Sequence, residues 1–265
     1  MNHEKFHYKT FEDVLKKEQE LGVELPFASD TKILSEPLAV SGRLFANRLG
    51  SAPMEGADST LSGSPSEFTL KRYKKVAEGG AAVIWFEAIS VAEEGRSSNT
   101  QLLITDDNVD DFKKFTEEIK EAGLKKNGYA PFLILQANHS GRYSNPGNKP
   151  HPLIAYRHPW LEQFRAADDS CIVTDDYLKR TEETFGHGSE LAKKAGFDAV
   201  DIKSCHGYLF QEVASAYYRP GLYGGSYENI TSLLKNSIAA AKEKEDDSFM
   251  VTSRVGIYDG YPKDS

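Results

Sequence analysis

Several things are scarce in this sequence. It holds two cysteines, Cys171 and Cys205, far apart and with no spaced partner set. That excludes a disulfide scaffold and a zinc site built on cysteine, and it fits a reducing, cytoplasmic setting. Adjacent Cys205 and His206 do not chelate one ion on their own, so no metal is expected. No apolar run approaches the ~18 residues of a membrane span. Met1–Glu20 is charged throughout and lacks the apolar stretch of a secretory signal. The net charge is -8 and no basic stripe stands out, which argues against a nucleic-acid partner. There is no internal repeat and no low-complexity tract. A glycine-rich GxGxxG turn is also missing; the first strand-like run leads instead into "APMEGADSTLSGSP".

What is present is enough for one large domain. The chain has 265 residues, with 14 Phe and 13 Tyr to fill a core. Residues 1–46 read as an N-terminal segment. Phe11–Leu21 has the spacing of a short amphipathic helix, and "AVSGRLFANR" that of a small hairpin. From Asn47 to Ser265 the chain alternates between strand-like and helix-like runs. "NRLGSAPM" is a short strand. Ser64-Pro65-Ser66-Glu67 predicts a helix capped by Ser64, with proline first and a carboxylate three after the cap. Gly79-Gly80 stops that helix. "AAVIWFEAISV" is the second strand. Asp106 or Asp107 is expected to cap a helix that carries Phe112, Phe115 and Ile119 and ends at Gly123. "APFLILQANHSG" is the third strand, followed by a long loop from Arg142 to Cys171. His151 and His158 in that loop are expected on the surface. Thr174 opens a helix running to Gly196, with Gly186 and Gly188 inside it. "FDAVDIK" is the fourth strand. A helix from Ser226 to Glu245 leads to "FMVTSRVGIYDG", the fifth.

Apolar strands alternating with helices mean βα units and a parallel sheet. An open doubly wound sheet and a barrel are the two ways to arrange it. Polar residues collect at the C-terminal ends of successive strands: Glu55, Glu87, Gln136 with His139, Lys203 with His206, and Arg254. That is where a TIM (β/α)8 barrel keeps its chemistry, so the barrel is favoured. Such a barrel uses eight units in about 250 residues. Here only five are legible, so the barrel is expected to be incomplete, with open edges at its first and fifth strands.

The strand-end motifs resemble the Old Yellow Enzyme family of flavin-dependent NAD(P)H oxidoreductases, FMN-binding TIM barrels. The likeness rests on "NRLGSAPM", "WFEAISVAEEGR", "LQANHSGRYS", "AGFDAVDIKSCHGYL", "YGGSYEN" and "SRVG", in the family's order between Ala46 and Gly260. "PMEG" and "IKSCH" are similar to a less studied subgroup. The resemblance implies FMN as cofactor, NADH or NADPH as reductant, and reduction of an activated C=C bond in a small molecule. It places Pro53 and Met54 at the flavin ring as backbone contacts, with Ala88 as a second and Gln136 at the pyrimidine edge. Arg254 falls near flavin N1, where a guanidinium favours the reduced anionic ring. His206 and Lys203 fall where a donor pair holds the substrate carbonyl. Tyr208 falls where a tyrosine gives a proton to the substrate carbon after hydride arrives from the flavin.

Three departures stand out. Lys203 replaces the usual first member of a His-His or His-Asn pair. It either grips a more anionic substrate or pairs with Asp201 or Glu55, leaving His206 to act. Glu55 stands where relatives often carry Thr or Cys near the ring, and Ala57 replaces an aromatic. Third, the family's phosphate site follows its seventh and eighth strands. Weak FMN binding and little activity are therefore expected of the five-unit chain. A second reading is a short, non-catalytic form that dimerises through its open edges as a homo-oligomer. A third is an FMN-independent barrel using Lys203 as a Schiff-base amine. Cys205 reads as a packing residue. Asp201 reads equally as an ion-pair partner or a site residue, and Glu87 as a group that satisfies strand-end donors.

Overall fold

The computed structural model describes residues 4–258. Helix α1 (Phe11–Leu21) is closed at its start by a reciprocal capping box between Thr10 and Asp13, and it buries none of its residues. Strands β1 (Leu38–Val40) and β2 (Arg43–Phe45) form the expected antiparallel hairpin. The hairpin lies against the N-terminal ends of the main strands. Phe45 meets the Phe132 ring edge-on at 5.3 Å, and Arg43 donates to the Asp247 carbonyl at 2.7 Å.

The main body alternates. β3 (Gly50–Ser51), α2 (Glu67–Glu78), β4 (Val83–Ser90) and α3 (Val109–Asn127) come first. β5 (Phe132–Asn138), the short α4 (Pro159–Glu162), α5 (Asp175–Lys194) and β6 (Ala199–Ile202) follow. Then come α6 (Leu209–Ala214), α7 (Tyr227–Ile230), α8 (Ser232–Lys242) and β7 (Met250–Thr252). Strands β3 to β7 lie side by side in chain order, each parallel to the next. A doubly wound sheet would reverse direction at a switch point; unbroken order is that of a barrel wall. Among the described residues the wall has five strands, an incomplete (β/α) barrel with β3 and β7 at its edges.

Alternation along each strand sorts the two faces. Ile84, Phe86, Leu133, Leu135, Val200 and Ile202 face the helices in one buried cluster with Phe112, Phe115, Ile119 and Phe185. Phe86 lies at its centre, stacked on Tyr73 at 4.2 Å and edge-on to Phe197 at 5.1 Å. The inner face carries Trp85, Ile134, Ala199 and Met250 in one register row, and Gln136, Asp201 and Thr252 in the next.

Several boundaries differ from the sequence reading. The cap of α2 is Ser66, whose hydroxyl accepts from the Phe68 and Thr69 amides, while Thr69 completes the box. Ser64 instead donates to Asp111 at 2.8 Å, tying this loop to α3. Asn108, not Asp106 or Asp107, precedes α3. Gly123 does not end α3, which runs on to a left-handed Gly128; at Gly123 the helix lies too close to Pro131 to admit a side chain. The helix expected over 226–245 breaks at Thr231 into α7 and α8. His158 is buried rather than exposed; its ring caps α4 by accepting from the Trp160 amide. Asp259 and Gly260 of the fifth strand motif lie outside the described residues.

The glycines inside α5 have a packing reason. A Cβ on Gly188 would meet Val91 Cγ1 at 2.5 Å, and one on Gly186 would meet Ala240 Cβ of α8 at 3.0 Å. Helix propensity alone predicts that Gly188→Ala stabilises by about 1 kcal/mol. Overpacking against a stiff β-branched neighbour costs about 1–3 kcal/mol and wins. Urea unfolding is expected to show Gly188→Ala less stable than the parent; a gain in midpoint would mean that Val91 moves aside freely.

Candidate active site at the C-terminal ends of the strands

The wall is bent where it meets the site. Register between β4 and β5 shifts between Trp85 and Ala88, a bulge that re-aims Glu87. The Glu87 carboxylate is buried and accepts from Arg72 at 2.7 Å, the Tyr73 hydroxyl at 3.1 Å and the Gly56 amide at 2.9 Å. Arg72 also grips Asp58 at 2.8 Å. Glu87 therefore satisfies neighbouring donors, as expected, and pins the loop that follows β3. That loop carries Pro53, half-buried, and Met54, which is 77 % exposed at the sheet edge. Glu55 beside them accepts from the Ser97 hydroxyl at 3.0 Å. Desolvation pushes its carboxyl up, with the Lys203 ammonium working against that.

On the inner face Gln136 donates from Nε2 to Asp201 at 2.7 Å, and both residues are buried. Asp201 is thus a partner of Gln136 and not of Lys203. Burial pushes its carboxyl up, with the Gln136 hydrogen bond opposing. A carboxylate can only accept, so the pair fixes the amide flip and turns the Gln136 oxygen away from Asp201. Close by, Asn138 Oδ1 is buried without a hydrogen bond, while the Trp85 indole and the Arg254 amide lie close enough to Asp201 to favour its charged form. Ala88 is buried, and its carbonyl already accepts from Gln101 at 2.9 Å.

The fourth strand delivers the reactive groups. Lys203 is 4 % exposed and holds Nζ 4.1 Å from the centre of the Tyr208 ring. Burial lowers its pKa, and Glu55 partly opposes this. Cys205 is buried and its thiol is pushed up, which makes it an inert packing residue. His206 is exposed and left-handed, with φ 65°, followed by Gly207 at φ 67°. Desolvation, then repulsion from Lys203 and Arg254, lowers its pKa and favours the neutral ring. Tyr208 stands at the N-cap of α6, with its ring 5.8 Å from that of Tyr143. Burial and then Glu55 raise its pKa, so the phenol keeps its proton. Beyond β7 the backbone pairing continues, with the Ser204 amide on the Arg254 carbonyl at 2.9 Å, so Arg254 stands beside Lys203.

Glu55, Gln136, Asp201, Lys203, His206, Tyr208 and Arg254 therefore share one cluster, whereas Met54 turns its side chain to solvent. Tyr143 was missed as a site residue although it lies inside a motif quoted above; only its spacing from Tyr208 in three dimensions singles it out.

His139 directly follows β5 but faces α5 instead of the cluster. The Gly141 amide donates to its Nδ1 at 3.1 Å, so Nε2 carries the hydrogen and bonds the Tyr177 oxygen at 2.8 Å. Tyr177 in turn donates to Glu94 at 3.1 Å. Burial holds the His139 pKa down at about 4, against an ordinary 6.5. A depressed folded pKa means that the unfolded chain binds the extra proton, so stability falls as pH drops from 6.5 towards about 4. The full effect is roughly 3 kcal/mol. His139→Asn keeps an acceptor for Gly141 and removes the titration. Urea unfolding at pH 7 and pH 4 is expected to show the parent losing roughly that much more than the variant; parallel losses would refute it.

Among the described residues no group of three or more His, Cys, Asp and Glu could hold a metal ion, and no helix is long and apolar enough to cross a membrane.

The NADPH dehydrogenase of Bacillus velezensis is 32 % identical over 229 residues, covering 85 % of this chain and 64 % of that protein. The NADPH dehydrogenase of Bacillus licheniformis is 33 % identical over 214 residues, covering 79 % of this chain and 60 % of its own length. The chain thus spans under two thirds of either relative. Among solved structures, a 2-naphthoyl-CoA reductase complex superposes with a TM-score of 0.71 at 17 % identity, over 84 % of this chain and 35 % of that one. An Old Yellow Enzyme from a Pichia species superposes with a TM-score of 0.69 at 24 % identity, over 83 % of this chain and 59 % of that one. At such identities these two show the fold. Residues 33–265 match one family throughout, the stretch that builds the hairpin, the parallel wall and the strand-end cluster; the chain belongs to the NADH:flavin oxidoreductase / NADH oxidase family.

Proposed function

We propose that this chain forms the ring-facing part of a flavin-dependent NADPH oxidoreductase that reduces an activated C=C bond. The observation that carries this is the convergence of Gln136, Lys203, His206, Tyr208 and Arg254 at one end of a parallel wall. The residues suit FMN. A planar ring with carbonyl and N–H edges matches a Gln136 amide locked by Asp201 and the unpaired, buried Asn138 oxygen. Arg254 supplies a cation for the charge that reduction places on the ring. The backbone at Pro53, Met54 and Ala88, with Glu55 beside it, completes the ring-facing set.

Bound FMN supplies the hydride, with NADPH as its source. This chain's residues do the rest. His206, kept neutral, and Lys203 donate to the oxygen that activates the alkene. Tyr208, whose phenol stays protonated, gives its proton to the carbon that does not receive hydride. Tyr143 packs beside it.

The test is a flavin titration followed by turnover. The 265-residue chain is expected to take up FMN weakly, because its ring-facing groups sit on a wall with two unpaired edges, β3 and β7, among the described residues. A protein of the relatives' full length is expected to bind FMN tightly and, with NADPH, to reduce a cyclic enone. A full-length protein that stays colourless in excess FMN would sink the proposal.

A further inference from the structure

Two cations stand together at the strand ends with no carboxylate in ion-pair contact among the described residues. Lys203 is almost fully buried, with Nζ over the face of the Tyr208 ring, 4.1 Å from its centre. Arg254 stands next to it across the β6–β7 pairing. The nearby carboxylates hydrogen-bond other groups, Glu55 the Ser97 hydroxyl and Asp201 the Gln136 amide; Glu55 acts on Lys203 only through its field, without an ion-pair contact. Burying an ammonium without a counter-ion is costly unless an anion arrives to complete it. An aromatic face offsets only part of that cost.

We propose that Lys203 selects substrates bearing a carboxylate at the activating position, making the site specific for α,β-unsaturated acids over neutral enones. This rests on the function proposed above and adds its substrate class. Arg254 faces the flavin ring in that reading, which leaves Lys203 as the cation on the substrate side. Neutral His206 supplies a second donor to the same group, so the carboxylate is held by one charged and one neutral hydrogen bond. Burial works against the Lys203 ammonium too, and a carboxylate bound beside it offsets that cost.

The probes are cinnamate and its neutral isostere cinnamamide. Each is titrated calorimetrically into a protein of the relatives' full length with FMN present and with FMN absent, while flavin uptake is followed separately by FMN fluorescence. Cinnamate is expected to bind at least about tenfold more tightly than cinnamamide, a difference typical of one charge-assisted hydrogen bond. Lys203→Met is expected to abolish the preference, and Lys203→Arg to retain most of it. Equal binding of the two probes, no binding of either, or an unchanged preference in Lys203→Met would overturn the proposal. Circular dichroism of each variant confirms that the wall is intact. Failure of FMN uptake alone counts against the proposed function, and the calorimetric preference is scored whichever way that result falls.

Discussion

Arg142→Met is expected to cost the fold about 3–5 kcal/mol, the penalty of stranding a buried carboxylate. The Arg142 guanidinium is wholly buried at the start of the long loop. It makes two bonds to Glu212 of α6, at 2.9 and 3.0 Å, and one to Glu162 of α4 at 3.0 Å. It also donates to the Tyr156 and Arg165 carbonyls at 3.0 and 3.1 Å. One side chain thus ties the loop to itself and to the helix that follows Tyr208. Burial already pushes the Glu212 carboxyl up, and Arg142 is the first influence opposing that. Without the guanidinium, Glu212 would remain almost fully buried with only backbone amides to hold it, Ala155 at 3.0 Å and Tyr156 beside it. Urea unfolding measures the loss. Arg142→Met with Glu212→Leu is expected to recover part of it, because the stranded charge goes too, though the Ala155 and Tyr156 amides then lack that acceptor. A single variant within about 1 kcal/mol of the parent would show that the interior relaxes enough to hydrate Glu212.

Under the proposed function, Tyr208→Phe in the full-length protein is expected to slow alkene reduction by about 10²–10⁴-fold, the usual loss when a positioned proton donor is removed. The change removes one oxygen and leaves the ring that packs beside Tyr143 and under Lys203. Reduction of the flavin by NADPH needs no proton from Tyr208, so that half-reaction is expected to keep its rate. The split between the two half-reactions, read by stopped-flow absorbance, is the decisive measurement. Equal slowing of both would mean that the ring's packing matters and its proton does not. A loss below about tenfold would move the donor's role to another group or to water.

Much of this was legible from the chain because the relevant signals are local. Val200 and Ile202 alternate with Asp201 and Lys203, and period-two alternation does place them on opposite faces of β6. Thr174 and Gly79 mark helix ends through bonds to close neighbours: the Thr174 hydroxyl accepts from the Tyr177 amide, and the Gly79 amide donates to the Lys75 carbonyl. What stayed hidden depends on tertiary contact. Ser64 has the chemistry of a cap, yet Asp111 on another helix claims its hydroxyl and the cap moves two residues on. His158 looks like a loop histidine until the loop folds over it. Gly186 and Gly188 look like helix breakers until α8 and Val91 come within touching distance. In the site, Asp201 suggested a partner for Lys203, but the register of β5 and β6 sets it opposite Gln136. A register pairing joins residues 65 positions apart, and no short-range pattern encodes it.

The left-handed turn at His206 bears on which substitutions this position tolerates. A side chain held at φ 65° costs of order 1 kcal/mol that glycine would not incur. Were the turn the only requirement, glycine would serve the backbone better there. The imidazole is an expense that stability alone does not justify. Screens for thermostability should therefore drift towards glycine or asparagine at 206, and screens for turnover should hold histidine. Divergence between the two outcomes would make this single residue a point where folding and chemistry ask for different things.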